Sequence, residues 1–287
     1  MTRFFRLIIF AFTIFTVTSA SAQSDSIVLK DIKWDKAYPA GSTELFIPSA
    51  NSQLAGMIYR PNGNKKHPTL ILLHGFPGNE RNLDLAQVVR AHGWNVIYFN
   101  YRGSWGSQGK FSFKNCVEDV GNVVAFCNKY QDSLKIDTSN IVLFGHSMGG
   151  WVCLKALEQL PQIKKGFALS TWNIYDDLKN FQSEKQLIEV AKNPTIFTNY
   201  FVLNSTTLDI LLPALKEISY YKLATNAKSF SDKQIIILDE HERNKEIADS
   251  IKEMHLSFFY YQVWGTDHGF TNKRVSLMNK LISFLDN

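Results

Sequence analysis

Short, densely apolar runs alternate along this chain with stretches in which apolar residues return every three or four positions. TLILLHG (69–75), NVIYFNY (95–101), NIVLFGH (140–146) and KGFALS (165–170) have the length and continuity of strands buried on both faces. QIIILDEHE and LSFFYYQVW repeat that character further on. Between these runs, LDLAQVVRAHG, CVEDVGNVVAFCNKY and GWVCLKALEQL carry the spacing of helices with one buried face, and Gly93 closes the first of them as a C-cap. Ahead of them all, ELFIPS and QLAGMIYRP read as an antiparallel start. Strand and helix in alternation predict an α/β domain whose mostly parallel central sheet is covered by helices on both faces.

The first residues stand outside this pattern. Arg3 and Arg6 precede the apolar stretch LIIFAFTIFTV, which is too short to span a bilayer, and small residues follow at ASA. This is the layout of a secretory signal peptide over residues 1–22, with cleavage expected after Ala22 and residues 23–287 left as one mature domain. No cysteine follows that point directly, so a lipoprotein anchor is not expected. The destination is the periplasm or the exterior, without a stable membrane anchor. The formal charge is only +5, with two of the positive charges in the leader. No basic cluster interleaved with aromatics is present, which argues against nucleic acid as a partner. Cys116, Cys127 and Cys153 are an odd set for an exported chain and read as buried free thiols.

One run ends in chemistry. In NIVLFGHSMGGWVCLKALEQL a strand is followed at once by a helix, and Gly145, Ser147 and Gly149 fit G-x-S-x-G at the turn between them. Such a turn lifts a serine hydroxyl above the edge of a sheet. A serine needs a base to become a nucleophile, and the base needs a carboxylate to orient it. His268, in GTDHGF beyond the last strand, is the candidate base. Asp239, at the end of its strand, and Glu242, further into the following loop, are both open as the acid, with Asp239 preferred. Asp267 adjoins His268 and is expected to point elsewhere. LLHGFPG (72–78) follows a central strand, and Phe76 and Met148 are the candidate backbone N–H donors of an oxyanion hole, because Pro77 has no N–H to give.

LLHGFPGNE, YFNYRGSWGSQGKFS, LFGHSMGG and GTDHGF together resemble the α/β-hydrolase superfamily, in the branch of serine aminopeptidase-like and dienelactone-hydrolase-like proteins. The resemblance runs from about residue 43 to the C-terminus. It implies an α/β-hydrolase fold with a Ser147, Asp239 and His268 triad. The usual H-G-x-x-D run is missing from IIILDEHERNKE, which keeps Glu242 as the alternative acid.

An insertion at about 171–231 reads as helices, and in such a fold it forms a cap over the serine. It holds Trp172, Tyr175, Phe181, Phe197, Tyr200, Phe201, Tyr220 and Tyr221, mostly as expected packing. Trp172 is the candidate substrate-binding residue, because it follows its strand directly at the active-site edge. HERNK (241–245) lacks the second histidine of a zinc-protease motif, and neither G-x-G-x-x-G nor a phosphate loop occurs. No metal and no cofactor are expected. The expected activity is hydrolysis of a carboxylic ester or amide through an acyl-enzyme, on a small-molecule ester or a short peptide. A serine peptidase and a catalytically silent hydrolase fold used for binding are the alternatives.

Overall fold

Both faces of the run at 67–73 are apolar because both are covered, and that requirement puts it in the interior of the sheet. The computed structural model describes residues 31–193, 200–225, 227–254 and 256–287. The expected leader and Phe197 lie outside them. The strands are β1 (Gly41–Ser49), β2 (Ser52–Arg60), β3 (His67–Leu73), β4 (Asn95–Phe99), β5 (Ile136–His146), β6 (Lys165–Leu169), β7 (Gln234–Asp239) and β8 (Phe258–Val263). They form one eight-stranded sheet in the order β1-β2-β4-β3-β5-β6-β7-β8. β1, β2 and β4 pair antiparallel, and every other pairing is parallel.

The helices are α1 (Leu83–Ala91), α2 (Phe113–Lys129), α3 (Met148–Gln159), α4 (Ile174–Leu178), α5 (Glu184–Ala191), α6 (Thr207–Lys216), α7 (Ile218–Tyr221), α8 (Lys245–Lys252) and α9 (Arg274–Asp286). Alternation along each strand divides the core in two. Ile71, Leu73 and Leu143 face α2, α3 and α8, whereas Leu70, Leu72, Val142 and Phe144 face α1 and α9. Each fully buried Leu, Ile or Phe contributes about 1.5–3 kcal/mol of transfer free energy. Cys116, Cys127 and Cys153 are buried in the first of these halves and unpaired.

The chain runs from β3 to β4 on one side and on to β5 on the other side of β3, so the sheet reverses direction there. The carboxyl ends of β3 and β5 therefore lie together, Leu73 opposite Gly145. A crevice at such a reversal is where open α/β sheets hold their ligands. Between β6 and β7 the chain leaves the sheet and forms α4 to α7. This excursion is latched to the loop after β4: the Trp105 N–H donates to the Val202 carbonyl at 2.9 Å, and the Asn204 N–H to the Gly103 carbonyl at 2.7 Å.

The same loop is tied down from below by a buried ion pair. The Asp119 carboxylate on α2, fully buried, accepts from Arg102 N–H at 2.8 Å, from Arg102 Nε at 2.6 Å and from Ser49 Oγ at 2.6 Å. Arg102 also reaches Glu118 at 2.6 Å. Removing one partner strands a charge in the interior, which costs about 3–5 kcal/mol. Arg102→Met is expected to lower the unfolding free energy by that amount in urea titrations, and a loss under about 1 kcal/mol would mean the pair is replaceable.

Candidate active site

Ser147 joins β5 to α3 with φ 59° and ψ −120°, a left-handed conformation that serine adopts only under compulsion. Neighbouring bonds supply the compulsion. Its N–H donates to the Leu169 carbonyl at 2.9 Å, and its carbonyl accepts from Gly150 N–H at 2.9 Å and Trp172 N–H at 3.0 Å. Glycine is required on both sides for contact reasons. A Cβ at Gly145 would stand 1.9 Å from the Gly149 carbonyl oxygen, and one at Gly149 would stand 2.0 Å from that of Leu73. Met148 opens α3, where a helix leaves its first N–H groups without intrahelical partners.

The loop after β3 passes beside this turn, and a Cβ on Gly75 would lie 3.0 Å from Ser147 Cβ. Several groups hold the loop. His74 Nδ1 lies 2.7 Å from the Gly75 carbonyl oxygen, and Trp105 Nε1 donates to the Pro77 carbonyl at 2.7 Å. Burial pulls His74 down to about 4, so its ring is neutral. The Phe76 ring packs against Tyr200 at 5.0 Å and Trp172 at 6.0 Å. The two expected oxyanion donors, Phe76 and Met148, thus belong to the two segments that flank Ser147.

The acid is where structure and spacing part. His268, in the loop after β8, sets Nδ1 2.8 Å from Oε1 of Glu240, the first residue beyond β7. The expected acid, Asp239, makes no hydrogen bond to His268. Its carboxylate is fully buried and accepts from Thr171 N–H at 3.1 Å and Asn244 Nδ2 at 3.2 Å. The alternative, Glu242, is exposed at the start of a short 3-10 turn, Glu242–Asn244. Successive residues at a strand end point to opposite sides, so a carboxylate one position later faces the histidine. Asp267 turns away, as expected, onto Thr271 N–H at 2.7 Å.

Charge follows this geometry. Burial would raise Glu240, but bonds from His268 and Ser170 outweigh it and hold the carboxyl down at about 2. The hydrogen bond to Glu240 in turn raises His268. Burial pushes the Asp239 carboxyl up to about 7, against the bonds from Asn244 and Thr171. Two further residues at the site carried no sequence signal strong enough to single them out. Ser170 Oγ donates to Glu240 Oε2 and lies 3.2 Å from His268 Nδ1. His146, the variable residue inside G-x-S-x-G, sets Nε2 2.8 Å from the His268 carbonyl oxygen, and burial keeps it neutral by lowering it to about 4.

Ser147, Ser170, Glu240 and His268 line one cavity of about 440 Å³. A second of about 440 Å³ lies under the α4–α6 segment and is apolar, walled by Phe76, Phe113, Leu178, Tyr200 and Ile210. Trp172 and Asp177 line both cavities, and Trp172 Nε1 donates to Asp177 Oδ2 at 2.6 Å. Among the other aromatics of this segment, Tyr175, Phe181 and Tyr220 pack against the core and Tyr221 stacks on Trp151, while Phe201 is 99% exposed. Among the described residues no group of three or more His, Cys, Asp or Glu could hold a metal ion.

A family model described as alpha/beta hydrolase fold matches residues 68–216. The chain belongs to the α/β-hydrolase family. It is 36% identical over 110 residues to an uncharacterised 31.7 kDa Escherichia coli protein from the traX-finO intergenic region, a match covering 36% of this chain and 37% of that one. It is 31% identical over 166 residues to a probable dipeptidyl-aminopeptidase B of Paracoccidioides lutzii, covering 51% of this chain and 17% of the relative. The matches therefore span well under half the length of these relatives. An esterase of Pyrococcus furiosus shares the fold at TM-score 0.62 and 17% identity, covering 89% of this chain and 96% of that one.

In this α/β hydrolase the two neighbouring carboxylates should separate cleanly. A buried carboxyl raised to about 7 holds a proton that the unfolded chain releases at about 4, so its stabilisation is complete below about pH 4 and lost as pH rises through about 7. Asp239→Asn lacks that loss. Its melting temperature relative to the parent is expected to climb across this window, with kcat within about tenfold of the parent. A pH-independent difference would mean that Asp239 ionises normally.

Proposed function

We propose that this chain is an exported serine hydrolase that cleaves a carboxylic ester through an acyl-enzyme intermediate. The observation that carries the reading is the His268–Glu240 hydrogen bond at 2.8 Å in the cavity that Ser147 also lines. In this reading Ser147 Oγ attacks the carbonyl carbon and His268 takes its proton. Phe76 and Met148 N–H groups receive the oxyanion. His268 then protonates the leaving oxygen as its bond to carbon breaks, and water repeats the sequence to release the acid. Glu240 keeps the histidine in the tautomer with Nδ1–H and stabilises the imidazolium. Export rests on the Arg3, Arg6 and LIIFAFTIFTV leader pattern.

Proton transfer assigns the two cavities. The leaving group must meet His268, which lines the polar cavity, so the acyl group lies on the other side of Trp172, in the apolar one. Burial of a hydrocarbon acyl chain there supports an ester with an apolar acid portion. A peptidase is the second reading. It is favoured by Asp176 and Asp177 in the Ser147 cavity, where a substrate ammonium would find carboxylates, and by the dipeptidyl-aminopeptidase relative. Use of a silent hydrolase fold for binding is disfavoured by the complete set of serine, histidine and carboxylate.

Ser147→Ala is expected to keep the fold, lower kcat by about 10⁴ or more and abolish labelling by a fluorophosphonate. Glu240→Gln should cost about 10³ to 10⁴ in kcat. Activity within tenfold of the parent in either variant would remove that residue from the mechanism.

Along a series of lengthening acyl esters, each buried methylene improves binding by up to about 0.8 kcal/mol, so kcat/KM should rise severalfold per carbon until the cavity is full. Trp172→Ala should flatten the rise while leaving acetyl-ester turnover nearly unchanged. A preference for aminoacyl amides with no dependence on acyl length would favour the peptidase.

A further inference from the structure

Ser170 stands at the end of β6, next to the chemistry but outside the expected triad. It is 2% exposed, and its backbone is left-handed, with φ 49°. Its N–H donates to the Leu238 carbonyl at 2.8 Å, which fixes it against the end of β7. A residue with a Cβ enters this conformation at a cost, and glycine would occupy the position without strain. The strain is retained where a hydroxyl is the group delivered.

The hydroxyl has one proton, and the hydrogen-bond geometry shows where it goes. It is donated to Glu240 Oε2, since an ionised carboxylate can only accept. The oxygen lone pairs then face His268 Nδ1 at 3.2 Å, while Glu240 Oε1 faces the same nitrogen at 2.8 Å. One Nδ1–H is thus shared between a carboxylate oxygen and a serine oxygen that are themselves bonded. Glutamate brings one more freely turning bond than aspartate, and the residue lies beyond the last paired position of β7, so the backbone alone does not fix its carboxylate.

We propose that Ser170 is a positioning residue that clamps the Glu240 carboxylate on His268 and shares the Nδ1 proton. The proposal rests on the serine-hydrolase reading of the site. Through Glu240 the hydroxyl orients the imidazole during both proton transfers. Its hydroxyl bonds to Glu240 and His268 and not to Ser147 or to the Phe76 and Met148 N–H groups, so its removal should act on turnover rather than on substrate binding.

The test is a double-mutant cycle on the mature chain with a soluble acetyl ester. Ser170→Ala and Ser170→Gly should each lower kcat by about 10- to 100-fold with KM within about twofold, as for loss of a hydrogen bond to a charged group. Ser170→Gly relieves the left-handed strain, so its melting temperature should hold even if the alanine variant folds poorly. In a Glu240→Gln background the same substitutions should cost under about twofold more, because the clamp has nothing left to hold. Full turnover in Ser170→Gly, or equal losses in both backgrounds, would overturn the clamp while leaving a Ser147-dependent enzyme intact. Hydrolysis that survives Ser147→Ala would overturn both readings.

Discussion

The site depends on one close passage of backbone over backbone. The first turn of α3 crosses the ends of β3 and β5 so tightly that a Cβ at Gly145 or Gly149 would stand about 2 Å from a carbonyl oxygen. Glycine at these two positions lets the helix begin at once after the strand. The immediate start throws Ser147 into its left-handed conformation, and the parallel pairing of β3 with β5 brings the loop after β3 alongside. A wider approach would separate the serine from the N–H groups of both segments. It would also break the bonds from Ser147 to Leu169 and Trp172, by which β6 is kept in line.

The carboxylates at the end of β7 show how one step along the chain reverses an electrostatic environment. Asp239 faces the interior, receives two neutral donors and is pushed up to about 7. Glu240 faces His268 and Ser170 and is held at about 2. Burial acts in the same direction on both. The difference is the partner: bonds from His268 and Ser170 favour the ionised form of Glu240, whereas the amide donors at Asp239 do not compensate fully for lost water. Environment thus drives two adjacent carboxylates in opposite directions, one by burial and the other by its bonds to His268 and Ser170.

Trp172 connects the sheet to the helical segment between β6 and β7. Its N–H bonds to the Ser147 carbonyl, its indole N–H bonds to Asp177 at the start of the excursion, and its ring meets Phe76 and Phe113. Together with Asp177, this side chain lines both the apolar and the polar cavity. The latch of residues 202–204 joins this segment to the loop after β4, and the buried Arg102–Asp119 pair ties that loop to α2.

Much of this was determined by sequence alone. Apolar runs of strand length, helices with one buried face, and G-x-S-x-G between a strand and a helix are local patterns. The backbone geometry they demand is settled within a few residues, so the α/β fold, the turn at Ser147 and the loop carrying His268 could be read directly. The acid could not. Asp239 and Glu240 are adjacent and chemically alike, and which of them meets His268 is decided by the pleat of β7 and by the position of β8, 19 residues further on. Ser170 and His146 were hidden for the same reason: their partners lie 98 and 122 residues away. Sequence periodicity fixes which face of an element is buried. Only tertiary packing decides which polar group on that face meets another, because a contact of 3 Å is sensitive to a single residue of register that the hydrophobic pattern at a strand end no longer specifies.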